Sequence, residues 1–274
     1  MGGVSVMLGF IGGIALLLIF SQPIAPFALA GIIVIILTFG VGVLDDITGM
    51  RQRYKPFIIA AAAVPMILTY EGAGSLWLPL IGSMSFGVLY PLILIPLAVT
   101  TSANFANMLA GFNGLEAGIG AIGLGTLGFL SFVTGHWDIG LIALTLAAAF
   151  TAFLKYNWYP AKIFLGDSGT LLYGASIAVI GIVAELEFAA IMVSMPAAFD
   201  FTLKMLHRRP FAQRRDYGDT RVTAEGTLEP APYPALSHAF LKVSNLSERR
   251  LVAIILAMES LYAIIAILLT LTLR

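Results

Sequence analysis

The chain has 274 residues, of which 59% are hydrophobic and only 11% charged, and its formal net charge is zero. A composition of this kind belongs to a protein whose solvent is mostly lipid, which sets soluble globular classes aside. With no cysteine, disulfide frameworks, thiolate nucleophiles and Cys-based zinc or iron-sulfur sites are excluded. The basic residues sit in short loops instead of a stripe interleaved with aromatics, so no nucleic-acid partner is expected.

A membrane-spanning helix needs about 20 apolar residues. Nine such windows follow one another, at about 4–20, 25–44, 54–70, 87–109, 117–134, 139–155, 168–184, 188–206 and 250–272. The first lacks the basic start and cleavage site of a signal peptide. The reading is an all-α polytopic helix bundle forming one transmembrane catalytic domain over 1–274, with a loop at 207–248. Ser75 to Phe86, carrying Trp77, Pro79, Gly82 and Ser83, is a candidate small β-hairpin on the outer surface, and His136-Trp137 marks a short interfacial turn.

Polar chemistry recurs at every second connection, which places it on one membrane face. Fourteen of the fifteen Lys and Arg residues, from Arg51 to Arg250, lie on that side, and Arg274 lies opposite. By the positive-inside rule this face is cytoplasmic, with the N-terminus in and the C-terminus out.

At the inner end of the second span stand Asp45 and Asp46. Carboxylates at a helix C-terminus are disfavoured by a few tenths to about 1 kcal/mol each, so the pair asks for a cation: a magnesium ion, or Arg51, Arg53 or Lys55. The fourth span ends in Asn104-Phe-Ala-Asn107, with Asn104, Asn107 and Gly111 on one helical face. Amides at that depth must face protein or a wet cavity. Asn113 and Glu116 have two readings of equal weight, substrate binding or a capping-box variant for the next helix.

Gly166-Asp167-Ser168-Gly169 opens the seventh span, where free amides at a helix N-terminus suit phosphate. Asp167 or Ser168 can also serve as its own helix cap. Trypsin-like proteases share a Gly-Asp-Ser-Gly run but are soluble β-barrels. Asp200 and Lys204, four residues apart, are expected to neutralise one another, and Glu259 to be hydrogen-bonded within the bundle. The stretch from His207 to Glu248 holds Pro230, Pro232 and Pro234 and an amphipathic segment from Ala235 to Val243. Its arginine density suits an anionic ligand or topology determination equally.

Carboxylates, amides, a helix N-terminus and basic residues at one face suit phosphoryl transfer. The Walker motif is absent, which argues against a P-loop nucleotidase. A transporter would gather its polar groups near the midplane instead, and a non-catalytic scaffold would tolerate replacement of Asp45, Asp46 and Asp167.

Three runs, Leu44-Asp45-Asp46, Asn104 through Gly118 and Asn157-Trp-Tyr-Pro through Asp167, closely resemble the polyprenyl-phosphate N-acetylhexosamine-1-phosphate transferases, glycosyltransferase family 4. The Asn-Gly-Leu-Glu form at 113–116, the Asn-Trp-Tyr-Pro run, and Leu241-Lys242-Val243 followed by Glu248-Arg249 are most similar to the archaeal and eukaryotic UDP-GlcNAc:dolichyl-phosphate branch. The resemblance implies transfer of N-acetylglucosamine-1-phosphate from UDP-GlcNAc to dolichyl or another polyprenyl phosphate, with release of UMP. It implies Mg²⁺, with Mn²⁺ as second candidate, held by Asn107 and Asp167. Asp45 and Asp46 match the acidic pair assigned to the lipid phosphate and its deprotonation. Lys55, Asn104, Asn113, Glu116, Phe164 and Arg221 match substrate-contacting positions. The setting implied is an archaeal cell membrane, and a homodimer is a candidate assembly. A bacterial-type undecaprenyl-phosphate transferase is the main alternative.

Two departures stand out. The family's His-Arg-Ile-Pro-Arg or triple-His loop motif is replaced by Arg214-Arg215-Asp216-Tyr217-Gly218-Asp219-Thr220-Arg221. Family members usually have ten spans, so one upstream span and an acidic residue are expected before Met1.

Overall fold

The computed structural model describes residues 1–20, 24–207 and 220–274. Helix α1 spans Gly3–Phe20 and α2 Pro26–Thr48. Pro26 stands at the start of α2, where its missing N–H costs nothing, and Gly49 ends the helix in a left-handed conformation with its N–H on the Asp45 carbonyl at 2.8 Å. The next apolar window is broken into α3, Lys55–Ala62, and α4, Val64–Leu68. Pro65 is the cause, because it can neither donate to the Ala61 carbonyl nor avoid crowding it.

Strands β1, Ser75–Leu78, and β2, Gly82–Ser85, pair antiparallel, so the hairpin read from sequence is present. A π-helical turn at Tyr90–Leu94, with Pro91 near its start, runs into α5, Ile95–Met108, which has Pro96 near its own start. Then come α6, Leu115–Val133, α7, Trp137–Asn157, α8, Gly166–Val183, and α9, Glu187–His207, with Pro196 inside it. A two-residue ribbon of β3, Arg221–Val222, and β4, Leu228–Glu229, precedes α10, Leu236–Val243. Helix α10 buries Leu236, Ser237, His238 and Leu241 and exposes Val243, as its amphipathic pattern required. The last helix, α11, is Glu248–Leu273.

The fold is therefore helical, with two small two-stranded sheets among the described residues. Among the described residues seven helices are long and apolar enough to cross a membrane, against the nine windows of the sequence; the other two windows hold the shorter apolar segments Gly3–Ile19 and Lys55–Leu68. Leu8, Ile19, Leu37 and Leu268 are exposed on the outside of the bundle. Such a surface is disfavoured in water and expected in lipid.

Helix α8 is the centre, with 83% of its span buried against α1, α2, α5, α6 and α9. Small residues permit the approach. A Cβ on Gly31 would lie 2.6 Å from Val179, and one on Gly174 would lie 2.5 Å from the Ser102 carbonyl oxygen. Close backbone contact of this kind is how helices associate where no hydrophobic effect drives them together.

The ends of the bundle differ in chemistry. The ends of α2, α5 and α7 and the starts of α3, α6, α8 and α11 gather at one end. At the other, the β1–β2 hairpin packs Trp77 edge-on to Phe188, and Arg274 donates to the Glu185 carbonyl and carboxylate at 2.7 and 3.1 Å. A polar cavity of about 630 Å³, lined by Tyr70, Glu187 and Arg274 among others, also lies at this second end.

Candidate active site

Asp46 resolves the problem posed by an acidic pair at a helix C-terminus. Its side chain leaves α2 and crosses to α8, where Oδ1 accepts the Asp167 N–H at 2.8 Å and Oδ2 the Ser168 N–H at 3.0 Å. The positive end of α8 thus offsets the negative end of α2, and two amides without partners in their own helix are satisfied. The expectation that Asp167 or Ser168 caps α8 is corrected: the flanking residue is Leu165, no side chain of the segment caps it, and the cap comes from another helix.

Two glycines make this crossing geometrically feasible. A Cβ on Gly42 would meet the Ser168 Cα at 2.5 Å, and one on Gly166 would meet the Asp46 carboxylate at 2.8 Å. Gly166 also has a φ of +77°, in the region glycine occupies without steric penalty.

Asp45 points elsewhere. It is 5% exposed and pairs with Lys55, the first residue of α3, itself 1% exposed. Lys55 Nζ also bonds Asp167 Oδ2 at 2.8 Å. Of the three cations that the sequence offered to the acidic pair, Lys55 is the partner found; Arg53 instead lies over the ring of Tyr54. Three carboxylates, from Asp45, Asp46 and Asp167, share this corner with one ammonium, leaving two negative charges uncompensated by it. The Asp167 side chain is 21% exposed and Asp46 is likewise part-buried, whereas Asp45 is buried.

Asn107 donates from Nδ2 to Thr170 Oγ1 at 2.9 Å, which leaves its amide oxygen free to accept or ligate. Thr170 stands three residues after Asp167 in α8, a neighbour that sequence reasoning passed over although i, i+3 spacing puts the two on one face. Asn104, one turn earlier, donates to the Thr100 carbonyl within α5 at 2.7 Å.

Asn113 and Glu116 do not form a capping box. Glu116 accepts the Gly111 N–H at 2.7 Å, while the Asn113 amide group bonds Glu248 at the start of α11 and accepts the Ala161 N–H at 2.7 Å. Reciprocal capping needs both side chains on the first turn of α6, and a left-handed Gly114 at its start turns the chain away from that geometry. Asn113 thus ties the rim loop to α11, and Glu116 pins the Gly111 turn to the start of α6. Phe164 lies on the same rim, half exposed, with its carbonyl accepting the Gly2 N–H at 3.0 Å.

Asp45, Asp46, Lys55, Asn107 and Asp167 thus form one cluster, whereas the bonds of Asn104, Asn113, Glu116 and the Phe164 carbonyl go to Thr100, to Glu248 and Ala161, to Gly111 and to Gly2. Arg221 stands apart on β3 as an exposed side chain. Arg214 to Asp219 lie outside the described residues. Asp200 and Lys204 pair as expected, at 2.6 Å. Glu259 departs from expectation: both carboxylate oxygens are buried with no hydrogen-bond partner among the described residues.

The donor set fits a hard divalent cation. Carboxylate and amide oxygens are the ligands magnesium takes, and magnesium keeps waters or phosphate oxygens in its other positions instead of demanding a full protein cage. No group of three or more His, Cys, Asp or Glu side chains arranged to hold a metal is present among the described residues. Asp46 is met by the α8 amides, and Asp45 and Asp167 share the one Lys55 ammonium, so a cation beside Asp167 would meet carboxylate charge that Lys55 alone does not match.

Residues 27–185, which include the whole cluster, match the model of Glycosyl transferase family 4. The chain belongs to this family. Among similar proteins, one of Saccharolobus solfataricus, provisionally named UDP-N-acetylglucosamine--dolichyl-phosphate N-acetylglucosaminephosphotransferase, is 36% identical over 99% of this chain and 84% of its own length. A Sulfolobus acidocaldarius protein with the same provisional name is 31% identical over 97% and 82%. A phospho-N-acetylmuramoyl-pentapeptide-transferase of Clostridium botulinum is 32% identical over 58% and 52%. All the residues of the cluster in this family 4 glycosyl transferase come from the segment its model covers, whereas Asp200, Arg221 and Glu248 lie beyond it.

Proposed function

We propose that this protein is an integral membrane enzyme that transfers N-acetylglucosamine-1-phosphate from UDP-N-acetylglucosamine to dolichyl or a related polyprenyl phosphate, releasing UMP. The observation that carries the reading is the Asp45–Lys55–Asp167 cluster with Asn107 beside it, at one end of a lipid-facing bundle. An oxygen of the lipid phosphate attacks the phosphorus that bears the sugar, and the bond from that phosphorus to the bridging oxygen breaks. UMP leaves with the bridging oxygen.

Asn107 and Asp167 would hold magnesium, which when bound supplies charge neutralisation to the diphosphate. The chain's own residues divide the remaining work. Asp45, buried beside the Lys55 ammonium, takes the proton from the lipid phosphate. Lys55 fixes the Asp45 and Asp167 carboxylates and returns positive charge toward the anionic substrates. Asp46 holds the amide end of α8 and so places Asp167. Asn104, Asn113, Glu116 and Phe164 frame the nucleotide, and Arg221 reaches the diphosphate or sugar.

We place this end of the bundle in the cytoplasm of an archaeal cell, with α1 and the α3–α4 segment completing nine crossings. Supporting this orientation are the bias of fourteen basic residues to one, the bonding of Gly2 at the site end and of Arg274 at the opposite end, and the two archaeal relatives. Purified protein, Mg²⁺ and a panel of UDP-sugars against dolichyl and undecaprenyl phosphates provide the test. UMP release with UDP-N-acetylglucosamine and a dolichyl acceptor is expected, and no release with any pair would overturn the assignment.

A further inference from the structure

Asp200 and Lys204 do more than neutralise one another. Lys204 Nζ, besides its 2.6 Å contact with Asp200 Oδ2, donates to the carbonyl of Met108, the last residue of α5 and the neighbour of Asn107. Asp200 Oδ1 accepts the N–H of Leu236, the first residue of α10, at 2.8 Å. A base therefore caps the carbonyl end of one helix and an acid the amide end of another, each the favourable sign for its terminus. Both caps come from α9.

The chain of bonds continues beyond α10. His238 Nδ1 bonds the Tyr233 carbonyl at 2.8 Å, and its Nε2 meets Thr220 Oγ1 at 3.2 Å. Since a carbonyl can only accept, Nδ1 carries the proton and a neutral ring accepts from the threonine. Thr220 immediately precedes Arg221. Asn107 on one side and Arg221 on the other are thus joined through Met108, Lys204, Asp200, α10, His238 and Thr220.

We infer that the Asp200–Lys204 pair is a positioning latch, fixing the segment that bears Arg221 relative to the α5 terminus that bears Asn107. The inference rests on the transfer reading for its kinetic consequence and on geometry alone for the latch itself. Removing either side chain frees one cap and lets the 220–247 segment move while the buried cluster around Lys55 stays assembled.

The absence of cysteine in the chain allows clean paired spin labels at Val222→Cys on β3 and Lys155→Cys at the end of α7, both exposed positions. In substrate-free protein in nanodiscs, the parent pair gives one narrow distance distribution, Asp200→Ala and Lys204→Met broaden it, and Lys204→Arg restores it. The same variants raise the KM for UDP-N-acetylglucosamine by about tenfold or more, the scale expected when a substrate group is misplaced by an ångström, and leave the KM for lipid phosphate near the parent's. Distributions as narrow as the parent's, with or without lost activity, would overturn the latch. If the single variants fail to fold, Asp200→Asn with Lys204→Met, which strands no charge, carries the same measurement. Failure of the parent to release UMP would sink the functional reading and leave the distance result standing.

Discussion

Asp46 and Asp167 meet across two helices, the carboxylate of one accepting the backbone N–H of the other at 2.8 Å, though 121 residues separate them. This contact orients the start of α8, and hence the Asp167 side chain that faces Lys55. Replacing Asp46 with Ala removes two charge-assisted bonds and is expected to cost about 1 to 3 kcal/mol of stability. Asp46→Asn keeps one acceptor and falls between. Thermal midpoints in detergent, read beside UMP release, check the order: parent, then Asn, then Ala.

Lys55→Met leaves Asp45 and Asp167 without their ammonium in a buried corner. Breaking a buried pair from one side costs about 3 to 5 kcal/mol, more than the pair itself contributes. Combining it with Asp45→Asn is expected to recover part of the loss, because one stranded charge is removed. Unfolding midpoints of the four proteins in this cycle measure the coupling, and strictly additive losses would contradict it.

Gly42 and Gly40 share one helix but face different surroundings. A methyl on Gly42 would sit 2.5 Å from the Ser168 Cα, whereas one on Gly40 meets nothing within 4 Å. Gly42→Ala is therefore expected to lower stability by about 1 to 3 kcal/mol and to reduce turnover by displacing α8. Gly40→Ala, which lowers the entropy of the unfolded chain, should be neutral or slightly stabilising. Comparable melting of the two variants would rule out the close α2–α8 approach.

Burial holds the His238 imidazole below its ordinary value of 6.5, with the Tyr233 carbonyl, Lys204, Asp200 and Lys242 also acting on it. The unfolded segment then binds a proton more readily than the folded one, so stability is present above pH 6.5 and lost as pH falls through that value toward the lower folded one. Protection factors for amide exchange in 220–247, corrected for the intrinsic pH dependence of exchange, should fall below this point. His238→Gln should flatten the dependence while leaving protection at neutral pH near or below that of the parent.

Much of this architecture was legible from residue order. Long apolar runs report lipid exposure directly, so the helices fell where the windows lay, and the β1–β2 hairpin followed its turn residues. Asp45, Asp46, Asn107 and Asp167 could be assigned to one end because alternation of spans fixes which loops share a face. What periodicity cannot report is the partner across a helix interface. Local spacing offered Asp167 or Ser168 as a helix cap and Asn113 with Glu116 as a capping box or a substrate contact, whereas the structure satisfies those groups through Asp46, Glu248 and Gly111. Glu259 failed for a related reason: a polar residue in an apolar span implies a partner only on average, and here both oxygens lie unpartnered among the described residues. The break between α3 and α4 was written in Pro65, yet an apolar count is blind to a missing N–H.

The most direct test of the active-site assignment compares UMP release from UDP-N-acetylglucosamine and dolichyl phosphate by the parent, Asp167→Asn and Asn107→Ala in the presence of Mg²⁺. Both variants are expected to insert normally and to lose at least about a hundredfold in turnover, the scale of removing one charge-stabilising group from a preorganised site. Turnover close to the parent's in well-folded Asp167→Asn would contradict the placement of the reaction at the corner formed by Asp45, Lys55, Asn107 and Asp167.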